Sequence, residues 1–150
     1  MTCCARDGAW PEPAVDPDRL NAARLSVVAL PNHRPSPAEP IPADIKGDRV
    51  PRQVVYTPKA AMPPATYSQA VKAAGLVFVS GTAPHDPVNG QIKGTTIQEQ
   101  TRQCLTNIAA ILEEAGSSLD KIVSVTIVLA DEDDFAGMNE EWLLGAPLRK

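Results

Sequence analysis

The spacing of apolar residues changes from that of a helix to that of a strand between residues 97 and 129, which restricts the folds open to this chain. Residues 123–129 alternate apolar and polar side chains, the period of a strand with one buried face. Residues 97–115 instead carry a stripe at helical spacing, formed by Ile97, Cys104, Leu105, Ile108, Ile111, Leu112 and Ala115. Each element buries its apolar side by packing on the other. The pattern therefore predicts a helix that lies on a sheet.

Both ends of this helix carry recognisable caps. Thr96, with Glu99 three residues later, is a capping box, in which the two side chains bind free N–H groups of the first turn. Gly116 stands where a left-handed C-terminal cap is expected. A second helix is predicted to begin after Asp133 or Asp134, either of which is a suitable N-cap. One face of that helix carries Phe135, Met138 and Trp142.

Three strands are predicted before the first helix, at residues 53–56, 68–72 and 76–80. The last two form an antiparallel hairpin that turns at Ala74 and Gly75. Asn89 followed by Gly90 is a second turn signal, because both central positions of a type I′ turn need a positive φ. The order β-β-β-α-β-α predicts an α+β fold, a two-layer sandwich with a mainly antiparallel sheet and two helices on one face.

The first 52 residues differ in character from the rest, since nine prolines fall between residues 11 and 51. Residues 1–52 are therefore predicted to be a disordered extension, and residues 53–150 to form the domain. A short helix at residues 18–28 is the alternative for part of the extension. The extension contains several acidic residues, whereas a transit peptide is poor in them. A cytoplasmic location is therefore predicted, with mitochondria as the alternative.

Composition excludes several classes of function. A net charge of −4 with no cluster of Lys and Arg predicts no nucleic-acid partner. No apolar run approaches the roughly 20 residues that span a bilayer, so no membrane partner is predicted. Three cysteines make no disulfide framework. No metal is predicted either, because residues 131–134 lack calcium-loop spacing and the two histidines have no ligand partners nearby.

Seven segments resemble, in the same order, parts of the Rid (YjgF) family of enamine and imine deaminases. They are 67–71 (YSQAV), 76–81 (LVFVSG), 86–90 (DPVNG), 97–108 (IQEQTRQCLTNI), 115–116 (AG), 123–127 (VSVTI) and 134–140 (DFAGMNE). The resemblance covers residues 53–142, and several segments in order are far more specific than any single one. It implies a fold of the bacterial chorismate-mutase type and a homotrimer whose active sites lie between subunits.

The resemblance also implies two strands after the second helix. One carries a Pro-Ala-Arg segment whose arginine holds the substrate carboxylate, and the other carries a glutamate that orients water. Neither segment follows Trp142, so the chain is interpreted as a member truncated at its C-terminus. Unpaired backbone groups and uncovered apolar surface are then expected beside Val125 and Ile127.

The activity implied is hydrolysis of reactive imines and enamines of the 2-aminoacrylate type to 2-keto acids and ammonia, with no metal or organic cofactor. Carried over residue by residue, the catalytic positions are Tyr67 and Asn139, and the substrate-binding positions are Ser80 and Gly81. Two alternatives stay open. The chain is a catalytically inactive binding or regulatory member of the same fold, or it is a ribonuclease or translation inhibitor, which its acidic charge disfavours.

Overall fold

The computed structural model describes residues 23–32 and 51–145, in which two helices cover one face of a five-stranded sheet. The strands are β1 (Arg24–Ala29), β2 (Arg52–Val55), β3 (Ala70–Ala73), β4 (Leu76–Thr82) and β5 (Ile122–Val128). The helices are α1 (Ile97–Glu114) and α2 (Phe135–Gly145), and short 3-10 turns span Leu119–Lys121 and Glu132–Asp134. No helix in this part of the chain is long and apolar enough to cross a membrane.

The strand order is β2-β3-β4-β1-β5, with every neighbouring pair antiparallel. Since β1 is antiparallel to both β4 and β5, those two strands run parallel, and α1 connects them across the covered face. The apolar core lies between this face and the helices, and Leu25, Val77, Ile108 and Leu112 are almost fully buried in it. The predicted α+β sandwich with two helices on one face is confirmed.

Strand β1 corrects the prediction made for the first 52 residues. A disordered extension is wrong for residues 24–29, and a helix at 18–28 is wrong for the part that β1 occupies. The physical reason is a period of two, because Leu25, Val27 and Ala29 are buried between more exposed neighbours. Pro17 and Pro31 flank this segment and do not interrupt it. Residues 1–22 and 33–50 lie outside the described residues.

The expectation of unpaired backbone groups beside β5 is wrong for one of its edges only, because β5 is the last strand of the sheet and its other edge has no neighbouring strand among the described residues. Leu25 pairs with Ile127 and Val27 with Val125, so β1 supplies hydrogen-bond partners along that edge of β5. On its other side, β1 pairs with β4 through Val27 with Val79 and Val28 with Phe78. A segment from the N-terminal part of the chain thus joins two strands that follow it in sequence.

The two predicted turns have different outcomes. The β3–β4 hairpin turns at Ala74 and Gly75 as predicted, with φ values of 49° and 75°. At the second signal only Gly90 has a positive φ, of 71°. The loop is wider than a two-residue turn, because the Gly90 N–H donates to the Asp86 carbonyl at 2.9 Å and His85 pairs with Ile92. A type I′ turn at Asn89 and Gly90 is therefore wrong.

Helix α1 follows its sequence signals closely. Thr96 is the N-cap, and the capping box with Glu99 is formed in both directions. Gly116, with a φ of 70°, ends the helix, and the Ser117 N–H donates to the Leu112 carbonyl at 2.7 Å. The predicted stripe is buried except for Ile97, which is half-buried. Four polar residues of α1 are buried as well, which the stripe does not predict: Gln100, Thr101, Gln103 and Asn107.

The remaining elements differ from prediction in detail. Ile122 is buried in place of Val123, which is 58% exposed, because the register between β1 and β5 shifts at this point. Asp131, rather than Asp133 or Asp134, caps the turn that leads into α2, and it accepts from the Asp133 N–H at 3.0 Å.

Helix α2 is fixed to α1 by one ion pair. The Arg102 guanidinium donates to both oxygens of the Glu141 carboxylate at 2.7 Å, and Glu141 is almost fully buried. This bidentate pair raises the pKa of Arg102, with the hydrogen bond as the main cause. Met138 is buried on the predicted apolar face of α2, whereas Phe135 at its start is exposed.

Candidate functional site

A cavity of about 610 Å³ opens at the end of β4, where the β2–β3 loop, the loop after β4 and the first residue of β1 meet. Its walls carry Tyr67, Ser80 and Gly81, three of the four residues that the sequence selects. We call it the β4 pocket. Among its described lining residues there is one cationic side chain and no acidic one.

Ser80 and Gly81 lie in a β-bulge. Leu25 pairs with Thr82 and Val27 with Val79, so these two residues of β4 stand opposite the single residue Ser26. A bulge bends the strand and redirects its side chains, and bulges are frequent beside active sites. Gly81 has no positive φ, so left-handed backbone is not the reason for a glycine here. A Cβ at this position would lie 3.5 Å from Ser26 Oγ, in ordinary contact.

The Ser80 hydroxyl has a defined hydrogen-bond direction. Its Oγ donates to the Ser68 carbonyl at 2.7 Å, and the Ser80 N–H donates to the Gln69 carbonyl at 3.0 Å. Because the single hydroxyl proton is used in this bond, the oxygen can only accept from a ligand in the pocket. Ser80 therefore offers a fixed acceptor.

Tyr67 is held by a loop that Gln69 anchors. The buried Gln69 amide accepts from the Thr57 N–H at 2.7 Å and donates to the Thr57 and Ala61 carbonyls at 3.0 Å each. Tyr67 itself is 49% exposed, and its N–H donates to the Pro64 carbonyl at 3.3 Å. Its hydroxyl makes no hydrogen bond to the described residues, which leaves it available to a ligand.

Arg24 is the cation of the β4 pocket, and sequence reasoning missed it. It is the first residue of β1, and its side chain is exposed. No described carboxylate forms an ion pair with it, in contrast to Arg102. The signal that could have found Arg24 is the alternation of residues 24–29, since a strand there needs a place in the sheet.

Asn139 is not brought together with the other three residues. It lies on α2 and lines a separate cleft of about 360 Å³ against β5, beside Phe135, Met138 and Trp142. Within one chain, the structure therefore separates the predicted catalytic pair Tyr67 and Asn139.

Two other candidates have structural explanations. The Cys104 thiol is buried between β1 and β4, and burial raises its pKa to about 12. In the acidic run, Asp131 is a cap, and desolvation raises the pKa of Asp134, with repulsion from Asp131 and Asp133 adding to the effect. Within residues 23–32 and 51–145, no cluster of three or more His, Cys, Asp or Glu side chains could hold a metal ion.

Comparison of sequences identifies relatives of this fold and pocket. The profile of the family described as Endoribonuclease L-PSP matches residues 57–143, more than half of the chain. A RutC family protein of Pyrococcus abyssi is 49% identical over 89 residues, which are 59% of this chain and 70% of that protein. The 2-iminobutanoate/2-iminopropanoate deaminase of Capra hircus is 37% identical over 89 residues, 59% of this chain and 65% of that enzyme.

Solved structures agree with the sequence comparison. The crystal structure of E. coli TdcF with bound serine matches with a TM-score of 0.58 at 34% identity, and the match covers 61% of this chain and 72% of TdcF. The shared fold therefore extends over about three fifths of this chain.

Proposed function

Because this chain belongs to the Endoribonuclease L-PSP family, which includes the RutC and Rid (YjgF) proteins, we propose that its β4 pocket hydrolyses imines and enamines of small 2-keto acids. The products are the 2-keto acid and ammonia. One observation carries the proposal: Arg24 stands in a pocket with Tyr67, Ser80 and Gly81, and no acidic side chain is among the described residues that line it.

Arg24 accounts for recognition of the substrate carboxylate. A guanidinium offers a planar fork of N–H donors that matches a carboxylate in two parallel hydrogen bonds. In this chain that group comes from β1, whereas the resemblance leads one to expect it after α2. The goat relative is named for 2-iminobutanoate and 2-iminopropanoate, and TdcF was solved with bound serine. All three compounds carry a carboxylate and have the size proposed.

Ser80 accounts for recognition of the imine nitrogen. Its oxygen can only accept, so it suits an N–H donor such as a protonated imine. Arg24 and Ser80 then bind opposite ends of the reacting unit, and Tyr67 closes the pocket with a free hydroxyl. Positioning of this kind is a major source of rate enhancement for a reaction that needs no cofactor.

The proposal is tested by replacing Arg24. The substrate is 2-iminopropanoate formed in situ by an amino-acid oxidase acting on alanine, and the rate is the protein-dependent loss of the imine. Charge-assisted hydrogen bonds contribute about 1.5 to 3 kcal/mol, so Arg24→Ala should raise KM about ten- to hundredfold, and Arg24→Lys less.

The matched control is Arg52→Ala, because Arg52 is also an exposed first residue of a strand but lies outside the β4 pocket. It should keep the KM of the unmodified chain. An unmodified chain that binds 2-keto acids without speeding imine loss would instead support the inactive binding member, and salt-sensitive cleavage of RNA would support the ribonuclease.

We also propose a homotrimer in the cytoplasm. The uncovered sheet face presents an apolar row that runs in register from β2 to β1, through Val54, Val71, Phe78 and Val28. Val54, on the edge strand β2, is 59% exposed, and Phe78, on the inner strand β4, is 41% exposed, so large apolar side chains face outwards along this row. A second and third copy would cover this row, and could bring Asn139 to a neighbouring β4 pocket.

A further inference from the structure

His85 is the residue of the β4 pocket that the proposed reaction has not yet used. It follows β4 by three positions, is half-buried and lines the pocket with Arg24 and Tyr67. Its backbone is firmly held, because its carbonyl accepts from Asn107 Nδ2 at 2.9 Å and it forms a bridge with Ile92. A second amide of α1, that of Gln103, donates to the same carbonyl at 3.5 Å.

The imidazole ring has a defined tautomer. Nδ1 lies 3.0 Å from the carbonyl oxygen of Gly90. A carbonyl oxygen can only accept, so the hydrogen bond requires a proton on Nδ1. In the neutral ring Nε2 then carries the lone pair, and this nitrogen makes no hydrogen bond to the described residues. The loop thus holds His85 as a base with its acceptor nitrogen free.

Among the described residues, none of the charged groups near His85 is placed to act as a base in the pocket. Asp86, its neighbour, accepts from the Val88 N–H at 2.8 Å and pairs with Lys93 at 3.6 Å. The Val88 N–H is the main reason that the pKa of Asp86 is lowered, and Asp86 is outside the pocket lining. Across the pocket stand the Arg24 guanidinium and the Tyr67 phenol, while α1 presents only its two amides. Of these groups, the imidazole is the one that offers a free basic nitrogen to a proton of water.

We propose that His85 Nε2 transfers the protons of imine hydrolysis in this pocket, an inference that rests on the proposed function. First, the water oxygen bonds to the carbon of the protonated imine, the C=N π pair moves to nitrogen, and Nε2 takes one water proton. A neutral carbinolamine results. The imidazolium then returns that proton to the amine, the C–N bond breaks, and the hydroxyl oxygen forms the C=O bond. The hydroxyl proton passes through Nε2 to the released ammonia, which leaves as ammonium.

The test compares three variants in the 2-iminopropanoate assay across a range of pH, with a protein-free blank at each pH. His85→Asn keeps an N–H donor for the Gly90 carbonyl but has no titrating base. Its kcat should fall about 10²- to 10⁴-fold, the usual contribution of general acid–base catalysis, with KM little changed. The kcat/KM of this variant should also vary less with pH than that of the unmodified chain, because asparagine is no base.

His85→Ala adds a readout that a purely structural role would not change. Free imidazole in the buffer should restore part of its rate in proportion to concentration. The control is His33→Gln, since His33 is the chain's other histidine and lies outside the described residues. It should keep both rate and pH profile.

The outcomes separate the two proposals. If the unmodified chain does not hydrolyse the imine, the proposed function and this inference fail together. Suppose instead that the unmodified chain hydrolyses the imine, but His85→Asn keeps its rate and its pH profile, or the rate of His85→Ala does not rise with imidazole. Then only the role of His85 is overturned.

Discussion

Whether a polar residue of this chain stabilises the fold depends on its hydrogen-bond partners more than on its residue type. Two polar side chains of α1, Gln103 and Asn107, are buried because they hold the loop of His85. Asp134 illustrates the opposite case, since one of its carboxylate oxygens is buried without a hydrogen-bond partner. Such a group destabilises the fold when it is charged.

Removing the charge of Asp134 should therefore stabilise the fold. Its pKa is higher in the folded chain than its ordinary value, so the folded state gains stability as pH falls through the folded pKa and loses it as pH rises. Asp134→Asn should unfold at a modestly higher urea concentration than the unmodified chain at neutral pH, and the difference should shrink towards pH 4. Glu140→Gln, at an exposed acid in the following helix α2, should show no such narrowing.

A second residue prediction concerns the core. Ile108 is fully buried on α1, so Ile108→Ala should cost about 2 to 5 kcal/mol of unfolding free energy. Thr96→Ala removes the N-cap and should cost about 1 kcal/mol. Denaturant unfolding measures both, with Thr106→Ala on the exposed face of α1 as control. A larger loss at Thr96 than at Ile108 would contradict the packing described.

Among the elements, β1 has the largest consequence for the sheet. It pairs on both sides, contributes Leu25, Val27 and Ala29 to the core, and brings Arg24 to the β4 pocket. A central strand at this position cannot be removed without separating β4 from β5 and exposing apolar surface on both.

Two deletions should therefore behave differently. Loss of residues 1–32 should abolish cooperative unfolding, whereas loss of residues 1–22 keeps every contact among the described residues and should preserve it. Thermal unfolding followed by circular dichroism distinguishes the two. Equal stability of both shortened chains would show that β1 is dispensable, as the prediction of a disordered extension requires.

The comparison of β1 with α1 explains which features could be predicted from sequence. Signals for α1 are local, since Thr96, Glu99 and Gly116 mark its ends and its stripe lies within one segment. The place of β1 depends on partners far along the chain, and six residues between proline-rich stretches carry little local signal. Tyr67, Ser80 and Gly81 could be selected in advance because the family resemblance covers their segments. Arg24 lies outside those segments, and selecting it requires both a strand at residues 24–29 and the place of that strand in the sheet.

At the scale of the whole molecule, the main feature is the sheet face that no element of residues 23–32 and 51–145 covers. Its apolar row crosses four strands, and helices protect only the opposite face. Isolated surface apolar residues are ordinary, but a continuous row across a sheet is typical of an interface.

The proposed trimer should depend on this row. Phe78→Asp places a charge at its centre and should reduce the mass measured by light scattering from three chains of 16.0 kDa to one. Thr106→Asp, on the solvent side of α1, should keep the larger mass. A single-chain mass for the unmodified protein, or an unchanged mass for Phe78→Asp, would contradict the proposal.

The position of β1 between β4 and β5 also affects the order in which the sheet forms during synthesis. Leu25 meets Ile127 only after about a hundred further residues have been translated, and non-local pairing of this kind slows folding. The neighbour strand β4 is translated well before β5, so one edge of β1 can pair early while its other edge has no partner until β5 emerges. The hairpin and α1 can form early, but the sheet can close only when the last strand emerges. A nascent chain of this design is therefore a candidate client for chaperones that shield extended apolar segments.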